Sequence, residues 1–375
     1  MILNFYNNSF HIRWQARTAG RIISGKCAFA GDWQAKVMES LGSGGADRIR
    51  AIGYFLHHGG EYIKNTVSLI TPENFNTVIK CVKFLPEYND LTCKIAAYWM
   101  KRLPKISHVL FCDTAFFARL PYEAKNYAIP CRLQQQDVRR YGRYGLSHLW
   151  MSNQVGQCPA RPAVKLISVY LGDHTNVAAM NGKNPMATSF GFTPVEGILS
   201  ANGSGSIDPT IIFYLHAAGM SFKEINEMLS QQSGFAALLG NKAGFQKVFS
   251  AAKSRKAMAA REFYCYNVAK WIGSFTAVLG GLDVLAFFSE KPRKFADVIS
   301  EVCGQLAFLG LKCGKINLIN NGGKLSAFSK PSSPVKTYCF QHDKWRIMEE
   351  SLMALLKKGG LHNEGKKVPC RRGYE

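Results

Sequence analysis

Residues Val109–Phe117 read Val-Leu-Phe-Cys-Asp-Thr-Ala-Phe-Phe, an apolar run that ends in one carboxylate, Asp113, followed by the small hydroxyl residue Thr114. Such a run predicts a buried strand. A strand that presents one Asp at its carboxyl end is a common way to place a catalytic acid or a metal ligand, although such an Asp can also serve the structure alone. Residues Phe192–Ile198 read Phe-Thr-Pro-Val-Glu-Gly-Ile, which predicts a loop that leads toward a helix.

Strands and helices alternate along the rest of the chain, which predicts an α/β protein. Apolar runs predict strands at Ile2–Ser9 and Ala163–Leu171. The stretch Trp271–Phe288 contains Asp283 and a Gly-Gly pair, so it predicts a buried helix followed by a strand, not a membrane span. Start and stop signals predict the helices. One starts at Thr71-Pro72, one follows Asn89-Asp90 and stops before Pro104, one runs from Asp208-Pro209 to Gly219, one starts at Ser221, one spans about Phe295–Leu309, and one runs from near Asp343 to Gly359-Gly360. Ser221 and Glu224 form a capping box at the start of their helix.

The composition is that of a packed and strongly basic protein. The chain has 375 residues, 47% of them hydrophobic, which is enough for two domains with their own cores. Its formal net charge of +22 favours a polyanionic partner, either RNA or an anionic membrane surface, unless the charge merely reflects drift. The 11 cysteines include no CxxC pair, which predicts reduced thiols in an intracellular setting and no zinc site.

Basic residues gather in clusters that are candidates for contact with a polyanion. Each cluster alone is typical of a solvated surface, but several clusters with few acids between them favour contact with a phosphate backbone. The candidate residues are Arg139, Arg140, Arg143, Lys253, Arg255, Lys256, Lys291, Arg293 and Lys294.

Several motifs, in their order along the chain, resemble those of the acetate kinase family, and together they cover nearly the whole sequence. They are His58-Gly59-Gly60-Glu61, Asp113–Phe116, Tyr122–Pro130, Arg140-Tyr141-Gly142 with Ser147-His148, Gly191–Gly197, Ile207-Asp208-Pro209, Gly280–Asp283 and Phe308-Leu309-Gly310. The resemblance implies transfer of the ATP γ-phosphoryl group to acetate, which gives acetyl phosphate and ADP.

The resemblance also implies a fold: two ribonuclease-H-like, actin-like domains around a nucleotide cleft. The first domain would comprise residues 1–117 with a returning helix and basic tail at 345–375, and the second residues 118–344. The segment between Gln15 and Ile52 is shorter than in the family, so the first domain is expected to be shortened and to lack a hairpin. A homodimer is expected as well.

The resemblance implies roles for a small set of residues. Asp113 would be a catalytic or metal-orienting carboxylate, and His148 would be either catalytic or a scaffold histidine. Mg²⁺ would be held by Asn4 and Asp343. The nucleotide cleft would be formed by Asn4, Gly172, Gly205 and Gly281.

The chain departs from the family at most positions that carry the chemistry. Phe55 and Gly203 stand where the family has arginines, and loss of a transition-state arginine typically costs ~10³-fold or more in rate. Tyr88 and Tyr144 replace histidines. The other replaced positions are the phosphate loop, now Asp173-His174, and the adenosine loop, now Glu290–Lys294.

These losses favour a pseudoenzyme without a cofactor that serves as a structural or RNA-associated subunit of a larger complex. The alternative is an active acyl kinase with a rearranged Mg²⁺-dependent site that uses ATP. A third alternative is a ligand sensor without turnover. Arg13, Arg17, Arg21 and Lys26 precede the first acid, Asp32, and resemble an organelle-targeting segment, which favours a mitochondrial over a cytoplasmic location. Cleavage there would, however, remove a core strand, since the family resemblance begins near Ile2.

Overall fold

The computed structural model describes residues 1–8, 10–18, 21–29, 31–156, 163–240, 254–316 and 326–358. The strands of this part of the chain form two six-stranded sheets. The first sheet has the order β3-β2-β1-β4-β6-β5. Its strands are β1 (Ile2–Asn7), β2 (His11–Thr18), β3 (Arg21–Ala28), β4 (Ala51–Leu56), β5 (Val67–Ile70) and β6 (Ser107–Cys112).

The second sheet has the order β11-β12-β10-β7-β8-β9. Its strands are β7 (Lys165–Tyr170), β8 (Asn176–Asn181), β9 (Asn184–Thr188), β10 (Val284–Ser289), β11 (Ser326–Ala327) and β12 (Lys336–Gln341).

The two sheets share one plan. In the first, β1, β2 and β3 form an antiparallel meander, and β1, β4 and β6 run parallel. In the second, β7, β8 and β9 form the meander, and β7, β10 and β12 run parallel. This duplication, which the family resemblance implies, confirms the predicted α/β fold with two domains.

The short segment between Gln15 and Ile52 was expected to lack a hairpin, but the meander of the first sheet is complete. Strands β2 and β3 form a complete hairpin there, paired from His11 with Ala28 to Thr18 with Arg21. The first sheet therefore keeps the full set of strands that flank β1.

Helices cover the sheets. They are α1 (Trp33–Leu41), α2 (Pro72–Ile79), α3 (Pro86–Arg102), α4 (Tyr122–Lys125), α5 (Cys131–Gln134), α6 (Gly145–Val155), α7 (Thr210–Ala217), α8 (Phe222–Gln231), α9 (Gly234–Leu239), α10 (Arg255–Leu279), α11 (Ala296–Gln305) and α12 (Lys344–Lys358). Short 3₁₀ turns span Ala46–Arg48, Lys80–Phe84, Thr114–Arg119, Pro292–Phe295 and Ala307–Leu309.

Most predicted helix boundaries are confirmed. Thr71 caps α2 with Pro72 in the first turn, and Ser221 with Glu224 forms the capping box of α8. The start predicted after Asn89 is wrong, because α3 already begins at Pro86, whose fixed φ suits a first helical position. The predicted helix over Phe295–Leu309 is shorter, since 3₁₀ turns flank α11.

Three apolar layers hold the fold together. Alternation along β1 sends Leu3 and Phe5 into an outer core with the helices of the first half. The second sheet has its own outer core under α10 and α11. Between the sheets lies a third core, into which α6 contributes Leu146 and Trp150 and α12 contributes Met348. Two helices therefore separate the sheets, and the space at their ends becomes a cleft.

The stretch Trp271–Phe288 forms the end of α10 followed by β10, which confirms the predicted helix and strand. In the part of the chain that the structure describes, no helix combines the length and apolar character needed to cross a membrane.

Candidate active site

The cleft lies where the parallel strands of both sheets end. Strands β1, β4 and β6 finish at one edge of the first sheet, and β7, β10 and β12 finish at one edge of the second. Rings meet across the gap: the centroids of Tyr144 and Tyr170 lie 4.0 Å apart, and those of Tyr6 and Trp345 lie 6.4 Å apart. Carboxyl ends of parallel strands are the usual place for ligands in α/β proteins.

Asp113 follows β6 at this edge and is only 4% exposed. Its Oδ2 accepts a hydrogen bond of 2.9 Å from the backbone N–H of Tyr144, which immediately precedes α6. Burial raises the pKa of the Asp113 carboxyl group, while Lys344, this N–H group and Arg143 act in the opposite direction. The amino end of a helix thus holds the carboxylate in place.

Tyr144 adopts a left-handed backbone with φ of 59°, one of two positive values at non-glycine residues in the described ranges. The next residue, Gly145, leaves no room for a side chain, because a methyl group there would overlap the carbonyl oxygen of Asp113. The end of β6 and the start of α6 are therefore locked together. Backbone strain held by its surroundings is typical of functional sites.

His148, the second predicted catalytic residue, is fully buried one turn along α6. Its Nδ1 lies 2.6 Å from Ser168 Oγ, and its Nε2 lies 3.2 Å from Asn176 Nδ2. Burial lowers the pKa of its ring to about 3. Both ring nitrogens of His148 have hydrogen-bond partners inside the fold, as expected for a scaffold histidine. A catalytic role stays a prediction.

Asp343, a predicted Mg²⁺ ligand, is exposed at the start of α12. Its Oδ1 accepts hydrogen bonds from the backbone N–H groups of Trp345 (3.0 Å) and Arg346 (3.2 Å), so the carboxylate caps the helix. The next residue, Lys344, turns into the cleft: its Nζ lies 3.7 Å from the ring centroid of Tyr6 and 5.0 Å from that of Phe55.

Lys344 is a functional candidate that sequence reasoning missed. The family resemblance implies an arginine at the position of Phe55. The cation that the structure places beside Phe55 comes from α12, almost three hundred residues further along the chain, and only the packing of α12 against β1 brings it there. No sequence signal distinguishes Lys344 from a surface lysine.

Arg143 was predicted to contact a polyanion on the surface, but the structure places it partly buried in the cleft. Its Cζ lies 5.4 Å from the ring centroid of Tyr144. Burial acts to lower its pKa, but Tyr144, Tyr6 and Asp113 outweigh burial and leave the pKa raised. The guanidinium group therefore stays charged beside Asp113.

His57 lies between these groups and is 5% exposed. Its Nε2 lies 2.8 Å from the carbonyl oxygen of Asn7, and its ring centroid lies 4.7 Å from that of Tyr88. Burial, Arg143 and Lys344 hold the pKa of His57 well below its ordinary value. The ring is neutral at physiological pH and adds no charge to the cleft.

A cavity of about 230 Å³ opens on the second-sheet side of the cleft, beside Gly172 and Asp173. Its other polar lining residues are His174, Ser289, Glu290, Lys291 and Lys294. Two of the predicted polyanion contacts, Lys291 and Lys294, thus lie next to a predicted nucleotide-binding glycine. The cavity suits an anionic group on its lysine side, although Asp173 and Glu290 oppose such a group.

The other predicted nucleotide-binding glycines lie in two different places. The loop of Gly205, whose φ is 74°, is tied to the cavity, because Ala201 donates its backbone N–H to the Asp173 carbonyl at 2.9 Å. Gly281 instead lies between α10 and β10, beside Lys165 at the start of β7. Because β7 and β10 run parallel, Gly281 is at the opposite edge of the sheet from Gly172.

Asn4 is predicted to bind both metal and nucleotide, and its buried Oδ1 has no hydrogen-bond partner among the described residues. It faces Gly53 on β4, where a side chain would overlap this oxygen. An unpaired amide oxygen suits a cation.

The surroundings nevertheless fit Mg²⁺ poorly. No group of three His, Cys, Asp or Glu side chains in the described residues could hold a metal ion. Asp113 stands beside the cations Arg143 and Lys344, which would repel a divalent ion. We therefore assign no step to a metal.

The remaining predicted polyanion contacts differ in exposure. Arg140 is bound to Glu196, with Nη2 and Oε1 2.8 Å apart, while Arg139 stacks on Tyr141 at 4.9 Å. The residues exposed to solvent are Arg255, Lys256, Lys291 and Arg293. Lys253 lies outside the described residues.

Comparison with known proteins decides the family. The model of the acetokinase family matches residues 35–349. The chain belongs to the acetate kinase family. It is 31% identical over 351 residues to the acetate kinase of Rippkaea orientalis, and the aligned region covers 92% of this chain and 83% of that protein. It is 32% identical over 320 residues to the acetate kinase of Carboxydothermus hydrogenoformans, covering 83% and 79% of the two chains.

Solved structures agree with this family assignment. The crystal structure of Porphyromonas gingivalis acetate kinase matches with a TM-score of 0.84 and 25% identity, over 95% of this chain and 99% of that one. The acetate kinase structure from Entamoeba histolytica also gives a TM-score of 0.84, at 21% identity, and shows the fold alone. The predicted actin-like arrangement of two domains is thus confirmed.

Proposed function

We propose that this acetate kinase homologue transfers a phosphoryl group between ATP and a short carboxylic acid. The relatives that match most of the chain at 30–32% identity are named acetate kinases, and this supports the alternative of an active kinase better than the pseudoenzyme hypothesis. The pseudoenzyme hypothesis stays a prediction.

One observation carries the proposal: Arg143 and Lys344 supply positive charge to the cleft. Phosphoryl transfer needs little covalent help from a protein; it needs positioning and positive charge around the phosphoryl oxygens. The arginines missing at Phe55 and Gly203 removed two charges in the sequence comparison. Arg143 and Lys344 return two charges from other elements of the fold.

Each side of the cleft has its own task in this proposal. Asp113, held by the N–H of Tyr144, keeps the two cations oriented and bounds the space for the acceptor carboxylate. The cavity beside Gly172 receives the nucleotide, with Lys291 near its phosphates. Aromatic rings such as Tyr6 and Tyr170 limit the access of water to the transferred group.

The direct test is formation of ATP from acetyl phosphate and ADP by the purified protein. We expect turnover above background, and a loss of at least ~10²-fold in kcat for Asp113→Asn. Asp208→Asn, which removes an exposed carboxylate that accepts hydrogen bonds from Thr210, is the matched control and should keep its rate. Background turnover in the wild-type protein, with and without Mg²⁺, would refute the kinase and leave the pseudoenzyme.

A second candidate is a non-catalytic subunit of an RNA-containing assembly. It is favoured by the net charge of +22 and by the exposed Arg255 and Lys256 at the start of α10. The test is size fractionation of the native protein. Elution in a large complex that RNase or high salt disperses supports this candidate. Elution of a free protein that neither treatment changes refutes it.

We also infer that the chain forms a homodimer through the exposed apolar face of α7. No residue of α7 is buried, and the aromatic side chains of Phe213 and Tyr214 are 66% and 74% exposed. Aromatic side chains at such exposure are typical of an interface between subunits.

A further inference from the structure

Arg143 and Lys344 are two cations of the cleft that have no counter-ion within the described ranges. No carboxylate there lies within 4.0 Å of the Arg143 guanidinium or the Lys344 ammonium, and neither group makes a side-chain hydrogen bond. By contrast, Arg17 pairs with Glu349 at 2.8 Å, and Arg140 pairs with Glu196 at 2.8 Å.

The two unpaired cations converge on the same groups. Lys344 lies against the ring of Tyr6, and Arg143 lies against the ring of Tyr144, the residue whose backbone N–H binds Asp113. Both cations act on Asp113 and on His57. They come from α12 and from the turn before α6, so they approach Asp113 from different elements of the fold.

The charges of this group do not balance. Arg143 and Lys344 contribute two positive charges, Asp113 contributes one negative charge, and His57 is neutral. Asp113 already accepts a hydrogen bond from the backbone, so it compensates the cations only through space. Half-buried charge without a partner is costly in a folded protein. An anion bound between Arg143 and Lys344 would compensate this excess of positive charge.

The hydrogen-bond donors of Arg143 and Lys344 also have the chemistry of an oxyanion site. A guanidinium group offers five N–H donors in a planar fork, and an ammonium group offers three. Phosphate and carboxylate oxygens are the groups that such donors bind most strongly. The aromatic walls of Tyr6, Phe55 and Tyr144 lower the local dielectric constant and strengthen the attraction.

We propose that Arg143 and Lys344 form an oxyanion subsite that holds a phosphate group in the cleft without a divalent metal ion. The inference deepens the proposed kinase function, because the group held would be the one that is transferred. It concerns binding, however, and can be true of a protein that does not turn over.

The experiment measures binding of inorganic phosphate by isothermal titration calorimetry in the presence of EDTA. The variants Arg143→Met and Lys344→Met remove one charge each and keep an unbranched side chain. Lys183→Met is the matched control, since Lys183 is exposed in the turn between β8 and β9, at the edge away from the cleft. Circular dichroism melts confirm that each variant folds.

We expect phosphate to bind with EDTA present, with Kd ~10-fold or more weaker in Arg143→Met and in Lys344→Met and unchanged in Lys183→Met. Lys344→Arg, which keeps the charge, should restore most of the affinity. Acetate and acetyl phosphate serve as further probes: tighter binding of phosphate and acetyl phosphate than of acetate assigns the subsite to the phosphoryl group, and the reverse order overturns that assignment.

Failure of this inference differs from failure of the kinase proposal. Phosphate binding that needs Mg²⁺, or that survives both substitutions, overturns the oxyanion subsite even if the protein makes ATP. Metal-independent binding that both substitutions weaken supports the subsite even if no ATP is formed.

Discussion

The two sides of the cleft differ in how tightly they are packed. On the first-sheet side, the corner of Asp113, Tyr144 and Gly145 is tightly packed, and rings such as Tyr6 and Phe55 fill the space above it. On the second-sheet side, the cavity beside Gly172 stays open, at about 230 Å³. Side chains therefore fill one half of the cleft and leave the other half accessible.

The difference also concerns charge. The packed side holds the unpaired cations Arg143 and Lys344, while the open side mixes Lys291 with Asp173 and Glu290. Positive charge therefore lies on both sides of the cleft, but carboxylates accompany it only on the open side. Four predictions can break or sharpen this contrast, in descending order of expected effect on stability.

Acid should have the largest effect, through two buried histidines between the sheets. Burial lowers the pKa of both His148 and His342 from about 6.5 to about 3. Below pH 6.5 the unfolded chain takes up protons that the folded protein cannot, so the stabilisation is complete above this pH and is lost as pH falls toward 3. The expected loss is about 2 kcal/mol for each histidine between pH 6.5 and 5. Chemical denaturation across this range measures it.

The control for this prediction replaces one of the two buried histidines. His148→Gln should flatten the dependence on pH by about one proton. An equal slope in wild type and His148→Gln would contradict the assignment.

The next largest effect on stability is expected from glycine-to-alanine substitutions, which should cost more on the packed side of the cleft than on the open side. Gly145→Ala places a methyl group against the Asp113 carbonyl oxygen, where neither backbone can move, and should cost about 2–3 kcal/mol. Gly172→Ala places it 2.7 Å from the ring of Tyr170, which is a side chain beside the open cavity and not backbone. We expect less than ~1 kcal/mol there. Similar unfolding free energies for the two variants would mean that the sides are packed alike.

Two arginine substitutions compare a cation that has an ion-pair partner, Arg140, with one that has none in the described residues, Arg143. Arg140→Met breaks the half-buried pair with Glu196 and should lower the unfolding free energy by roughly 1–2 kcal/mol. Arg143→Met removes a cation without a partner in the described residues, so it should leave stability unchanged or raise it. Urea denaturation compares the two. A larger loss for Arg143→Met than for Arg140→Met would show that Arg143 is structural.

The smallest effect on stability is expected away from the cleft. Phe213→Ser with Tyr214→Ser changes exposed side chains of α7, so the monomer should lose less than ~0.5 kcal/mol. If α7 forms the dimer interface, the double variant should sediment as a monomer at concentrations at which the wild type is dimeric. Wild-type protein that is monomeric at all concentrations would refute the interface.

Much of the fold could be predicted from the sequence. The capping signals at Thr71 and Ser221 act through hydrogen bonds within one turn, so they place helix starts without knowledge of the rest of the chain. The boundary at Pro86 was missed, because Asn89 resembles a cap but is buried in α3, where its side chain donates to the carbonyl oxygens of His58 and Cys81. A tertiary contact there overrides a local preference.

The candidate site was less predictable. Asp113 could be found because an apolar strand and a following carboxylate are adjacent in sequence. Gly281 was grouped with Gly172, although parallel strands place the two at opposite edges. Arg143 was assigned to the surface with its neighbour Arg140, because sequence adjacency does not reveal which side chain turns inward.

The sequence by itself determined the order of strands and helices, the family, and the position of Asp113, since these depend on local periodicity, capping and motif order. Only the tertiary structure decided which cations enter the cleft. Lys344 reaches Tyr6 and Phe55 because Asp343 caps α12 and α12 packs between the sheets. Charge acts through space, and the distance between two charges is fixed by packing rather than by their separation along the chain.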